Sequence, residues 1–201
     1  MNNILNEMEC FKDRLDSKEA INKLVAYYGN KFYVVILMKQ YERLLANIRS
    51  INVLLNINSI EDAYTIFRKY LETYLIIMSI YENKGVVKDY LIHDSYIGLK
   101  ACGEKNKEIR EFIRNKPEGF LEYGYLEDVL DTSENGFKYT IKAVCKAAHI
   151  DEYYKWYRLC NNFVHNNLSS VNINQDEGRD KLIEKCCTSF LRLKQAFEKI
   201  L

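Results

Sequence analysis

Tyr153 to Asn166 reads YYKWYRLCNNFVHN, and it holds the residue types in this chain that could do chemistry together. Placed on a helix at ~100° per residue, the stretch divides into two faces. One carries Tyr154, Arg158, Asn161, Asn162 and His165. Arg158 and His165 are a heptad apart, so they point within ~20° of each other and stand ~10 Å apart along the axis. The other face carries Tyr153, Trp156, Tyr157, Cys160, Phe163 and Val164 at the spacing of a buried stripe, and includes the only Trp. A cation, two amides and an imidazole are therefore expected to line up on a helix whose opposite face is committed to a core.

Those groups suit phosphodiester chemistry. Cleavage of RNA by its own 2′-hydroxyl needs a base at that oxygen and an acid at the leaving oxygen. Histidine titrates in the useful range and can take either role, typically for ~10²–10⁴-fold. Arg158 would hold a phosphate through two charge-assisted bonds and offset its extra negative charge in the transition state. Asn161 or Asn162 could orient the phosphate or the imidazole, and Tyr154 offers a surface on which a splayed base can stack. The plainer reading of the same stripe is a solvated polar face or an interhelical hydrogen bond. Arg68 and Glu72, an i, i+4 pair on an earlier helix, read first as a surface salt bridge worth only ~0.2–0.5 kcal/mol. Their second reading is support for Arg158 or His165.

The elements that must position these residues read as helices throughout. One Pro and eight Gly are few breakers for this length. Apolar residues recur at helical spacing over Asn2–Leu15, then from a capping box at Asp16 and Glu19 to Tyr28, where Gly29-Asn30 is a stop. A long helix follows over Lys31–Asn56, with Tyr33, Ile36, Leu37, Tyr41, Leu44, Leu45, Ile48, Ile51 and Leu55 inward. Ser59 and Asp62 form a second capping box, opening a helix to about Tyr81. Its inner stripe is Ile60, Ala63, Tyr64, Phe67, Tyr70, Leu71, Tyr74, Met78 and Tyr81, with Arg68 and Glu72 on the flank.

Gly85 is a break, and helices are expected over 88–100 (with His93), 104–115 and 137–149, separated by a turn at 101–103 and an irregular stretch at 118–136. Asp151 caps the Tyr153–Asn166 helix. A polar linker at 167–178 leads to an amphipathic helix over Asp180–Leu201. The expected architecture is an all-α antiparallel multi-helix bundle spanning 59–201, with residues 1–58 as an N-terminal helical extension, a dimer arm or part of the same bundle.

Composition excludes several classes. Lys and Arg (29) nearly balance Asp and Glu (28), so the net charge of +1 makes no general case for nucleic acid, and any such contact must be local. No apolar run approaches the ~20 residues that cross a bilayer, so no membrane partner is expected. The N-terminus lacks a basic region followed by an apolar block, and six cysteines fall without a C-x-x-C pair. Both features read as reduced thiols in a cytoplasmic protein. Cys145 and His149 have the spacing of half a zinc site with no second pair near, so no metal is expected. No Gly-rich phosphate loop or H-E-x-x-H occurs, so no cofactor is expected. The sixteen tyrosines, at helical spacing, read mostly as core.

Arg158 and His165, with Asn between them in the C-terminal part of an all-α chain, resemble the R-x(4–6)-H motif of the HEPN superfamily. Tyr153, Trp156, Leu159, Cys160 and His165 also resemble the aromatic-rich helix of an uncharacterised bacterial all-helical family related to it. Arg68 and Glu72 match an R-x3-E on an earlier helix of that pattern. The resemblance covers roughly 59–200. It implies a HEPN-like bundle that pairs as a homodimer. It further implies a composite metal-independent endoribonuclease site in which Arg158 and His165 of each subunit are catalytic. Asn161, Asn162, Tyr154, Arg68 and Glu72 would bind substrate or support the site. A toxin or anti-phage role, with a regulatory protein or antitoxin as partner, follows from the same resemblance. The alternative is a non-catalytic helical scaffold or sensor that binds a nucleotide, RNA or a protein.

Overall fold

The structure is a computed structural model that describes residues 1–82, 150–164 and 175–201, apart from the side chains of Phe32, Asp151, Asn162, Val164 and Gln175. The elements expected over 85–149 and the residues 165–174 lie outside the described residues, and with them His93, Cys145, His149 and His165. All the regular structure described is helical: α1 (Asn2–Leu15), α2 (Lys18–Tyr28), α3 (Lys31–Asn56), α4 (Ile60–Glu82), α5 (Asp151–Val164) and α6 (Gln175–Glu198). The described residues are all-α, as their periodicity requires.

Local chemistry sets the helix ends. Ser17, in extended backbone, accepts the Ala20 N–H at 3.2 Å and is the N-cap of α2. The expected cap, Asp16, is instead the right-handed C-cap of α1, where its carboxylate pairs with Lys12. Glu19 pairs with Lys23 at 2.7 Å. Two adjacent residues could each cap, and the one whose backbone leaves the helical region does so. Gly29 ends α2 at φ +70°, its N–H bonded to Val25 O at 2.8 Å.

Helix α3 ends differently. Asn58 takes φ +60°, the Ser59 N–H reaches Leu54 O (2.8 Å) and the Asn58 N–H reaches Leu55 O (3.2 Å). This pair of bonds is a Schellman motif with asparagine in the left-handed position. The Ser59 hydroxyl then donates to Asp62 as α4 begins. Three residues thus reverse the chain, and α3 and α4 make the broadest helix–helix contact among the described elements.

Helix α4 is central. From Thr73 to Ile80 every residue is buried, so the amphipathic stripe expected there is replaced by a helix covered on all sides. α3, α5 and α6 pack on it, while α1 and α2 pack on α3. Ile4, Met8, Phe11 and Leu15 of α1 join the same apolar cluster as Tyr70 and Leu71 of α4 and Phe190 and Phe197 of α6. Phe11 sits at its middle, with ring centroids 6.0 Å from Tyr41, 6.1 Å from Phe190 and 6.4 Å from Phe197. Two buried hydroxyls in this core are partnered: Tyr41 donates to Met8 O (2.9 Å), and Tyr70 lies 2.9 Å from Ser189 Oγ.

Helix α6 begins at Gln175, five residues before the expected start at Asp180. Gly178, read from the sequence as the end of a linker, is a buried helical residue whose carbonyl accepts the Tyr64 hydroxyl at 2.8 Å. A glycine tolerated inside a helix at a close contact looks, in sequence, like one that stops it. Among the described residues no helix is long and apolar enough to cross a membrane.

Candidate functional site: the α4–α5 flank

Helix α5 lies on α4 through a narrower stripe than expected. Tyr153, Cys160 and Phe163 are buried, whereas Trp156 and Tyr157 are half-buried at its edges. Tyr153 packs against Tyr74 (centroids 4.9 Å), and Phe163 stacks on Tyr64 at 4.6 Å with planes 11° apart. Trp156 lies under the Lys185 ammonium at 5.6 Å, and Glu152 faces Arg192 at 3.7 Å, so α6 flanks one side of α5. Aromatic residues at the edge of a stripe keep the ring on the core and the polar end in water.

The other edge carries the site. Arg68, half-buried on α4, reaches across to α5 and spends its guanidinium on three neighbours. Nε donates to Asn161 Oδ1, Nη2 donates to the Tyr157 hydroxyl at 2.8 Å, and Nη1 lies 3.7 Å from Glu72 Oε2. The guanidinium carbon is also 4.8 Å from the centre of the Tyr157 ring, and Tyr154 stacks on Tyr157 at 6.3 Å with planes 17° apart. Burial and the Glu72 carboxylate raise the Tyr157 pKa, opposed by the Arg68 cation. Burial pushes the Cys160 thiol up to about 12, with Arg68 pulling the other way.

The sequence-derived candidates therefore separate. Arg68, Glu72 and Asn161 meet in one network. Tyr154 joins it through Tyr157. Arg158 is exposed on the outer face and, among the described residues, has neither an ion-pair nor a hydrogen-bond partner. Leu159, which follows it, is 43% exposed, so this turn of α5 faces water. The Asn162 side chain and His165 lie outside the described residues. Two residues were missed. By spacing alone Tyr157 belongs to the core stripe, although a tyrosine four positions before Asn161 at a stripe edge is a signal that marks it. Lys155, exposed one turn before Arg158, adds a second cation to the outer face. Among the described residues no group of His, Cys, Asp and Glu is placed to hold a metal ion.

This arrangement fixes the polarity of the flank. A guanidinium has only N–H donors, so the Asn161 amide must turn its oxygen to Arg68 and its NH2 away. The outer flank of α5 then presents N–H donors from Asn161, Arg158 and Lys155. No curated protein and no solved structure matches the chain. The model of DUF5677, described as a family of unknown function, matches residues 34–181, and the chain belongs to that family.

Proposed function

We propose that the outer flank of α5 is a metal-independent endoribonuclease face that works in a homodimer, in the toxin or anti-phage role that the HEPN resemblance implies. The observation that carries this reading is the exposed Arg158, without a partner among the described residues, on the same flank as an Asn161 amide held in place by Arg68. In this reaction a base takes the proton of the 2′-hydroxyl and that oxygen attacks the adjacent phosphorus. The 5′-oxygen leaves with a proton from an acid, giving a 2′,3′-cyclic phosphate and a 5′-hydroxyl. Arg158 binds the phosphate and offsets its charge in the transition state. His165 serves the proton transfers, and two copies supply one imidazole for each oxygen.

Incubating purified protein with cellular RNA in EDTA tests this. The wild type is expected to cleave, and Arg158→Ala and His165→Ala to lose ~10²-fold or more. No cleavage, or equal cleavage by all three, removes the nuclease. The second reading, a non-catalytic scaffold or sensor, is favoured by the Arg68 network itself. A guanidinium spent on internal partners makes a rigid surface suited to recognition, and in a binder there is no turnover for His165→Ala to lose.

A further inference from the structure

We infer that Asn161, turned by Arg68, and Arg158 form a seat for a phosphate oxyanion, with Arg68 as the positioning residue that sets the polarity of the amide. The inference rests on the reading of the α5 flank as the working surface, and it names what that surface holds.

An asparagine amide offers a carbonyl on one side and an NH2 on the other, and in water either side can face a ligand. Here Arg68 Nε fixes the choice, because a guanidinium cannot accept a hydrogen bond. The guanidinium is itself held by the Tyr157 hydroxyl and by Glu72, so it cannot swing to release the amide without losing two more contacts. Asn161 Nδ2 is left as a donor turned away from Arg68, with no acceptor among the described residues.

Arg158 is three positions earlier on the same helix, a spacing that brings Cβ atoms to ~5–6 Å. Lys155 is one turn earlier again. The nearby carboxylates are engaged elsewhere, Glu72 by Arg68 and Glu152 by Arg192. Among the described residues, the flank therefore carries N–H donors and two cations, Lys155 and Arg158, that no carboxylate pairs with. A tetrahedral oxyanion such as phosphate accepts from an amide and a guanidinium at once, and charge-assisted bonds of this kind are the strong ones. A cation is repelled by this flank, and a neutral acceptor gains less from it than an anion does.

Asn161→Asp separates this seat from a structural role. The carboxylate keeps an acceptor toward Arg68, so packing survives and the melting temperature holds or rises. The outward donor, however, becomes a second acceptor that repels an anion. Binding of a labelled single-stranded RNA and of inorganic pyrophosphate is measured in EDTA for the wild type, Asn161→Asp, Arg68→Met and Arg68→Lys. Asn161→Asp is expected to lose ~10-fold or more in affinity. Arg68→Met, which frees the amide to rotate, should lose ~3–10-fold, and Arg68→Lys, which keeps a donor, should recover most of it.

Binding of pyrophosphate as well as RNA assigns the seat to a free or terminal phosphate, and binding of RNA alone assigns it to the nucleic-acid backbone. Wild-type affinity in Asn161→Asp, or no binding of either probe by the wild type, overturns the seat. Cleavage undiminished in Asn161→Asp overturns the seat and leaves the nuclease reading standing. Lost binding in Asn161→Asp, in a protein that never cleaves, supports the seat and removes the nuclease.

Discussion

Replacing Arg68 with methionine should loosen α5 from α4 by an amount that can be worked out from its contacts. The substitution keeps most of the aliphatic stem and removes the guanidinium. Two charge-assisted hydrogen bonds disappear, to the Tyr157 hydroxyl and to Asn161 Oδ1. Such bonds are worth ~1.5–3 kcal/mol when buried, and ~1 kcal/mol each is a fair value where water can replace part of them. The guanidinium 4.8 Å from the Tyr157 ring centre adds ~0.5–1 kcal/mol.

The Glu72 contact, at 3.7 Å with the carboxylate side chain 41% exposed, adds little, in the ~0–1 kcal/mol range of surface pairs. The expected total is ~2.5–3 kcal/mol, because the two hydrogen bonds and the ring contact carry nearly all of it. For a chain of this size that lowers Tm by ~5–12 °C. Thermal melts of Arg68→Met, Tyr157→Phe and the double variant form a cycle whose coupling should be ~1 kcal/mol. A single-variant loss within ~0.5 kcal/mol of zero, or a coupling near zero, would refute the view that this network holds the site's geometry.

Two further outcomes test the fold around the site. Phe11→Ala removes a ring that is 3% exposed and touches Tyr41, Phe190 and Phe197, and should cost ~3–5 kcal/mol by denaturant unfolding. Because Phe11 precedes the family match at residues 34–181, a cost under ~1 kcal/mol would mean that α1 is dispensable to the bundle.

The second concerns alkaline pH. Burial raises the pKa of Cys160 to about 12, as it does for Tyr64, and pushes Tyr28, Tyr41 and Tyr74 higher still. Each group stays protonated in the folded chain while the unfolded chain releases its proton. Their contribution is therefore complete below the ordinary values of 9.0 and 10.0 and is lost as pH rises toward the folded values. Melts between pH 7 and 11 should show Tm falling from about pH 9 upward, and a flat profile to pH 11 would contradict this burial.

How much of this was legible in sequence follows from the range over which each signal acts. Helical periodicity and stop signals act within a few residues. Hence the spans Asn2–Leu15 and Lys31–Asn56, the stop at Gly29 and the buried triplet Tyr153, Cys160 and Phe163 were all readable from the chain. The choice between Asp16 and Ser17 as cap was not, since both residue types can cap and only the backbone path decides. Nor was the complete burial of Thr73–Ile80, because a stripe shows which face is apolar and not how many neighbours will cover the rest.

Gly178 could be placed inside α6 only once Tyr64 was seen to need its carbonyl. The sharpest case is Arg68. In sequence it has one visible partner, Glu72, a turn away. In the fold its other partners lie 89 and 93 positions along the chain, on a helix brought alongside by apolar packing. Sequence thus determined which groups α5 would offer, because that depends on the local helix. Tertiary structure decided which way the Asn161 amide faces and that Tyr157 belongs to the site, because both depend on a donor from α4.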